Sequence, residues 1–392
     1  MIRFFYFIIF VLTVFLGTAD AKFYVKDSIS LLGGIDTNSL YMESSTGMDY
    51  FIRVDPSVSL VLDKKELLFE FGGGIDYNHY FKNSSQSFFA WTFNGDLELK
   101  PDDQTSFYIT NSYTNNSDPV LMDTEVRAKW NLYAIGAGID YYTSSRAWQF
   151  ISGINADSKK YEESLFDNFD NKKTYINIET KYYFFPESAL RLGVIGGRSY
   201  YTSGYDTRPY GNSDSVYIEG FTGLSGRLVE NINIETKVGF LWMDYQYGLS
   251  FHEPIIIIKV TDVLSNRTSL SAEYERMAYD SVYSNFYVDE KVAMSFKSIW
   301  YDSIINLSTF QYIYRYYRGN PKRVDHRLGF ITESSIPLFV VGALKENISL
   351  TTTFLAEWVN SDAYNSFAYY VGPDPSASYS RMVFMVGLTN KF

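Results

Sequence analysis

The chain has 392 residues, no cysteine, 34 Lys and Arg against 45 Asp and Glu, and a formal net charge of −11. The acidic balance argues against nucleic acid as a partner, and the lack of cysteine removes any disulfide framework. Aromatic residues reach 18%, with 35 Tyr and 31 Phe, yet mean hydropathy is only −0.15, which excludes a helical membrane protein and fits strands with one lipid-facing and one watered face.

The chain starts with Met1-Ile2-Arg3, then an apolar run over 4–16, then Ala19-Asp20-Ala21. This is the pattern of a signal peptide with an A-x-A cleavage site. The run is shorter than the about 20 residues a spanning helix needs. Lys22 rather than a cysteine follows, so lipoprotein processing is excluded. Residues 1–21 are read as the signal peptide and 22–392 as one domain, because no linker or shift of composition divides them.

From there the chain alternates between tight breaks and wider polar ones. The tight breaks fall at Asp63-Lys64, Pro101-Asp102, Ser144-Ser145, Pro186-Glu187, Glu230-Asn231, Leu264-Ser265, Tyr301-Asp302 and 337–345. The wider ones fall at 37–47, 82–87, 115–120, 162–171, 203–213, 247–250, 280–284, 319–322 and 360–376. Short turns alternating with long loops predict long up-and-down hairpins. The expected fold is all-β: a single antiparallel transmembrane barrel of about 18 strands. Sixteen is the alternative, should the arm 22–36 or the arm around Ile255 not join the ladder.

The arms between the breaks have period two. In 67–77, Leu67, Phe69, Phe71, Ile75 and Tyr77 oppose Glu70 and Asp76. In 89–99, Phe89, Trp91, Phe93, Leu97 and Leu99 oppose Thr92, Asn94, Asp96 and Glu98. In 172–201, Ile176, Ile178, Thr180, Tyr182 and Phe184 oppose Asn177, Glu179 and Lys181. After Pro186, Leu190, Leu192 and Val194 resume the pattern, with aromatics at both ends. In 232–242 the apolar row opposes Asn233, Glu235 and Lys237; in 268–276, Glu273 and Glu275 share one face. In 348–358, Ile348, Leu350, Phe354, Ala356 and Trp358 oppose Thr351, Thr353 and Glu357. A Lys or Arg at the bilayer midplane costs about 2–4 kcal/mol on a lipid face, so the charged rows are expected to face a lumen. A soluble sandwich would also alternate, with its charges outward; the signal peptide, arm count and aromatic ends favour the barrel. The last arm places Met382, Phe384, Val386, Leu388 and Phe392 on one face and stops at that Phe. Such an end resembles the signal that delivers outer-membrane barrels to their insertion machinery, although Asn390 stands where an apolar residue is usual.

Chemical motifs are sparse. His79, His252 and His326 lie on different arms without ligand spacing, so neither a metal nor a cofactor is expected. Asp325-His326-Arg327 as an acid–base group, and Glu273 with Glu275 as a sugar-cleaving pair, are weaker readings than a polar rim and lumen charges. Gly72-Gly73-Gly74 and Gly196-Gly197 lead into no helix and are read as strand glycines rather than phosphate cradles. The tyrosines of 312–317 suit an interfacial girdle, or a platform for sugar rings.

The order of several short motifs resembles the type 2 β-barrel porin family, often linked with exopolysaccharide gene clusters. They are Asp36-Thr37-Asn38; Val54 through Leu60 around Pro56; Tyr161 and Asp170 followed by Tyr182 through Pro186; Gly223 and Gly226 with Gly239, Phe240 and Tyr245; and Arg323-Val324-Asp325. The resemblance implies an outer-membrane barrel that helps polysaccharide cross, with no catalytic residues; an even strand count puts both termini on the periplasmic side. Outer-membrane lipid and the insertion machinery are the partners expected. A closed docking barrel and a membrane-embedded hydrolase are the alternatives.

Overall fold

The computed structural model describes residues 22–38, 47–116, 129–162, 169–202, 213–281, 285–301, 303–318, 323–341, 346–361 and 378–391. The expected signal peptide and Phe392 lie outside these ranges. The strands are β1 (Lys22–Asp36), β2 (Asp49–Lys64), β3 (Leu67–Tyr80), β4 (Phe88–Leu99), β5 (Thr105–Asn116) and β6 (Trp130–Tyr142). Next come β7 (Trp148–Tyr161), β8 (Asn171–Phe185), β9 (Ser188–Tyr201), β10 (Ser215–Val229), β11 (Ile232–Tyr245) and β12 (Phe251–Ser265). The last six are β13 (Thr268–Asp280), β14 (Phe286–Trp300), β15 (Ile304–Tyr317), β16 (Arg323–Val341), β17 (Glu346–Ser361) and β18 (Tyr379–Lys391).

Each strand pairs antiparallel with its sequence neighbours, and β1 pairs with both β2 and β18. The sheet is therefore a closed 18-stranded barrel with no free edge. Both β1 and β12 join the ladder, which sets aside the count of sixteen. Strands run from 12 to 19 residues, longer than the 9–11 or so that cross hydrocarbon.

The tight connections gather at one rim, together with Lys22 and Lys391. The break expected over 337–345 falls in the second half of that range. β16 continues through Pro337 to Val341, and the register with β17 shifts between Pro337 and Phe339. Proline has no N–H to give to a ladder, so the strand admits it at a bulge instead of turning there. Gly226, with φ of +110°, sits near this rim; a Cβ there would lie 1.6 Å from the Glu187 carbonyl. Only glycine fits so close an approach.

Exposed apolar side chains form the outer surface, including Ile176, Ile178, Leu192, Val194, Met294 and Phe384. Paired residues share a face of the sheet, so the register carries this assignment from strand to strand and fixes the inner face.

Candidate functional site: the lumen

The residues expected to face the lumen lie on the face opposite the exposed apolar rows. Glu70 stands across from Asp96, and Glu98 across from Tyr108. Asn177 stands across from Gly153, Glu235 from Lys259, and Glu275 from Lys291. Most have been given partners. Arg53 grips Asp76 through two hydrogen bonds of 2.8 and 2.7 Å. Lys26 reaches Glu70 at 2.8 Å, and Lys100 reaches Glu98 at 2.9 Å. Arg191 joins Glu179 at 2.7 Å to Glu235 at 3.4 Å. Lys237 pairs with Glu219 at 2.5 Å. Glu273 and Glu275 share Lys291 at 2.6 and 3.6 Å; a lysine bridging both carboxylates suits a wall charge better than an acid–base pair. Asn177 accepts a bond from the Asn155 amide. Lys181 stands opposite Gln149 and Arg191, and Asn233 opposite Arg227 and Thr261.

The chemical motifs divide between the faces. His326 turns outward against Tyr312 and Tyr314, while Asp325 and Arg327 turn inward. That tripeptide therefore spans the wall and makes no single site. The 312–317 tyrosines split likewise: Tyr312 and Tyr314 stand outside, and Tyr317 packs inside on Tyr287.

Asp36-Thr37-Asn38 turns out to be the seam of the barrel. Arg381 of β18 binds Asp36 at 2.6 Å, the Tyr80 hydroxyl donates to the same carboxylate at 3.0 Å, and the Asn38 N–H caps it at 3.0 Å. The Asn38 amide donates to the Ser380 carbonyl, and the Met382 N–H donates to the Thr37 hydroxyl. Three consecutive residues thus stitch the end of β1 to the start of β18. Met382, Phe384, Val386 and Leu388 are exposed on the outer face there, and Asn390 stands opposite Ile29.

The inner wall has two unlike regions. Across β4 to β8 its middle carries mainly amides, hydroxyls and glycines. Asn94, Thr110, Ser112, Asn155 and Tyr175, with Asp96 and Asp157, line a recess of about 370 Å³. Glycines let these side chains lie flat: a Cβ on Gly138 would lie 2.3 Å from the Tyr108 hydroxyl, and one on Gly136 would lie 2.5 Å from the Asn155 carbonyl oxygen. Across β14 to β16 the wall is charged and dense. Arg315, whose side chain is 1% exposed, holds Asp289 through bonds of 2.7 and 2.8 Å and lies 3.9 Å over the Tyr287 ring. Arg315 stands opposite Asp325. Asp325 is in turn held by Arg323 at 2.7 and 2.8 Å, by Arg327 at 3.4 Å and by the Ser361 hydroxyl. Positive and negative groups alternate across three strands, so each buried charge has a partner.

Beside that region the barrel wall parts. Pairing of β12 with β13 stops at Ile256 opposite Arg276, although β12 begins at Phe251 and β13 runs on to Asp280. Pro254 stands at the parting, where its missing N–H leaves the ladder one donor short. Arg276 fills the gap, donating to the Pro254 carbonyl, to Glu253, to Glu290 and to the Tyr316 hydroxyl.

Beyond the parting, the loop-side end of the β13–β14 hairpin lies on the inner side of β10 to β12. Ala278, Phe286 and Val288 continue the face that, farther down β14, exposes Val292 and Met294 to the outside. Here that face is buried against Leu241, Tyr245, Phe251 and Ile255, which are inward residues of β11 and β12. Two anchors cross the mouth. Lys173 of β8 pairs with Asp280. Asn285 donates to the carbonyls of Tyr247 at 2.6 Å and Leu249 at 3.3 Å, and accepts from the Ser213 N–H at 3.3 Å. The arrangement narrows the lumen on the loop side.

Several solved structures are similar in fold. Three from Pseudomonas aeruginosa are OccK2 (OpdF), OccK9 (OpdG) and the outer membrane protein opdK. Their TM-scores are all 0.53, with identities of 8%, 9% and 7%. The alignments cover 94%, 95% and 94% of this chain and 98%, 99% and 99% of theirs. At this identity the likeness shows the fold. No protein-family model and no curated protein matches the sequence.

Proposed function

We propose that the chain is a non-enzymatic outer-membrane conduit for polar solutes, with the long loops outside and both termini periplasmic. One observation carries the reading: a closed barrel of 18 strands joins an apolar outer face to a largely polar inner face. A barrel of that size encloses a water-filled path when its lumen is open. An extended polysaccharide is the substrate class we favour. The motif order of the type 2 porins suggests it, and the amides, hydroxyls and glycines of the β4–β8 wall offer neutral hydrogen-bonding groups to a sugar chain. The test is planar-bilayer conductance of the full chain. We expect ion-conducting steps with cation preference, given the net charge of −11, and reversible block by soluble anionic or neutral polysaccharide. A reversal potential showing anion preference, or no block by any polysaccharide, counts against the reading.

The inward β13–β14 hairpin end favours a second reading, a barrel shut at rest that serves as a docking platform. Absence of conductance in both the native chain and a Lys173→Met variant supports that alternative.

A further inference from the structure

The outer face of the barrel carries an asymmetry that permeation does not use. Within the described strands, outward register places a Lys or Arg at only a few positions. Lys64 ends β2 at the short-turn rim, and Arg276 fills the parting beside Pro254. The remaining three, Lys160, Lys172 and Arg198, lie together on β7, β8 and β9 at the loop-side end. Lys172 stands opposite Ser158, two residues below Lys160, and opposite Tyr200, two residues above Arg198. The three cations therefore form a diagonal line with steps of about 7–8 Å between neighbouring strands. All three are exposed, and none forms an ion pair among the described residues. Arg198 lies 4.4 Å over the Tyr200 ring. Two carboxylates flank the line and both are engaged: Glu162 accepts from the Asn115 and Asn131 amides, and Asp214 accepts from the Tyr201 N–H.

The neighbouring face is polar too. On the outer side of β5 and β6, the Tyr113 hydroxyl donates to Asn131 at 2.6 Å, and the Asn111 amide donates to the Tyr133 hydroxyl at 2.8 Å. Lys160 stands directly opposite Asn131. Cations beside a field of amides and phenols on the loop-side half of the wall match a ligand that carries both phosphates and sugar hydroxyls.

We infer that Lys160, Lys172 and Arg198 bind the phosphates of a phosphorylated glycolipid in the outer leaflet, whose sugars lie over the β5–β6 amides. This rests on the proposed outward orientation of the loops, not on an open pore. The flexible stems of the lysines lie along the apolar wall while their ammonium groups rise to the phosphates.

The test is retention of added lipid by the delipidated full-length barrel, read by native mass spectrometry. The probes are bisphosphorylated lipid A, dephosphorylated lipid A and phosphatidylglycerol. We expect bisphosphorylated lipid A to be retained about tenfold better than the other two. A Lys160→Gln, Lys172→Gln, Arg198→Gln triple variant should lose that preference. A charge-keeping Lys160→Arg, Lys172→Arg, Arg198→Lys variant should hold it, and heat-shifted gel mobility shows that each variant has formed its barrel. Equal retention by the neutral variant, or equal retention of dephosphorylated lipid A, overturns the site. Stronger retention of phosphatidylglycerol overturns the choice of leaflet and lipid. Conductance is measured on the same preparations, so failure here is separable from failure of the conduit.

Discussion

The β4–β8 wall and the β13–β16 wall face the same water and are built on opposite principles. The middle of the first holds mainly amides and hydroxyls beside glycines, in a recess open to the lumen. The second holds charges in chains, and next to it a hairpin end crosses the mouth. Side chains on the first wall keep their hydration, so any one of them can be lost cheaply. On the second wall the buried ions Asp289, Arg315, Arg323 and Asp325 have exchanged water for partners, and removing one partner strands the other. The lesson is that an inward polar residue is not one kind of thing: its weight depends on whether water or protein surrounds it.

The largest test of that difference is a pair of aspartates. Asp289→Ala leaves the buried Arg315 guanidinium without its bidentate partner and should cost about 3–5 kcal/mol. Asp96→Ala on the open wall should change stability by no more than about 0.5 kcal/mol. Urea unfolding of both variants in the same micelles measures the contrast. Equal losses would mean that the two walls do not differ in hydration.

The crossing hairpin supplies the next effect. Lys173→Met removes one anchor while keeping the side-chain length. It should destabilise the loop-side end of β13 by about 1.5–3 kcal/mol, the range for a hydrogen bond to a charged group. Amide exchange should quicken around 277–281 and stay unchanged in β5 and β6, and single-channel conductance should rise. Unchanged exchange in β13 would show that the apolar cluster around Phe251 and Phe286 alone holds the hairpin in place.

Much of this architecture can be read along the chain because its causes are local. Period-two alternation and turn chemistry mark the arms, and the count of eighteen follows from them. The alternating charges near the β16 start were also within reach. Arg323, Asp325 and Arg327 are spaced by two residues and so share a face, although sequence reasoning valued them only as a motif and an acid–base tripeptide. What escaped is non-local. Lys173 and Asp280 are 107 residues apart, and nothing at either position announces the other. The hairpin's inward course depends on where two strands separate. The local traces are Pro254 near the start of β12 and the loss of alternation at 286–289, where four consecutive residues are buried. Pro337, at the start of the break expected over 337–345, lies within β16 because a bulge can host a proline that would otherwise suggest a turn.

The smallest effect belongs to the turn that supports the open wall from below. Asp102, between β4 and β5, accepts the N–H groups of Gln104 at 2.8 Å and Thr105 at 2.7 Å. Those two backbone donors, Gln104 first, hold its carboxyl below the ordinary aspartate range. Because the folded value lies below the unfolded one, the bonds add stability above the unfolded value, near pH 3.9, and lose it as pH falls through the folded value. Asp102→Ala should therefore speed amide exchange at Gln104 and Thr105 at neutral pH, and native and variant should converge below that window. The Asp is solvent-exposed, so the effect should stay within the turn and leave the β4–β8 recess unaltered. If the loss spread into β4 and β5, the open wall would be cooperative with its turns, and its contrast with the ion-paired wall would rest on packing rather than on hydration.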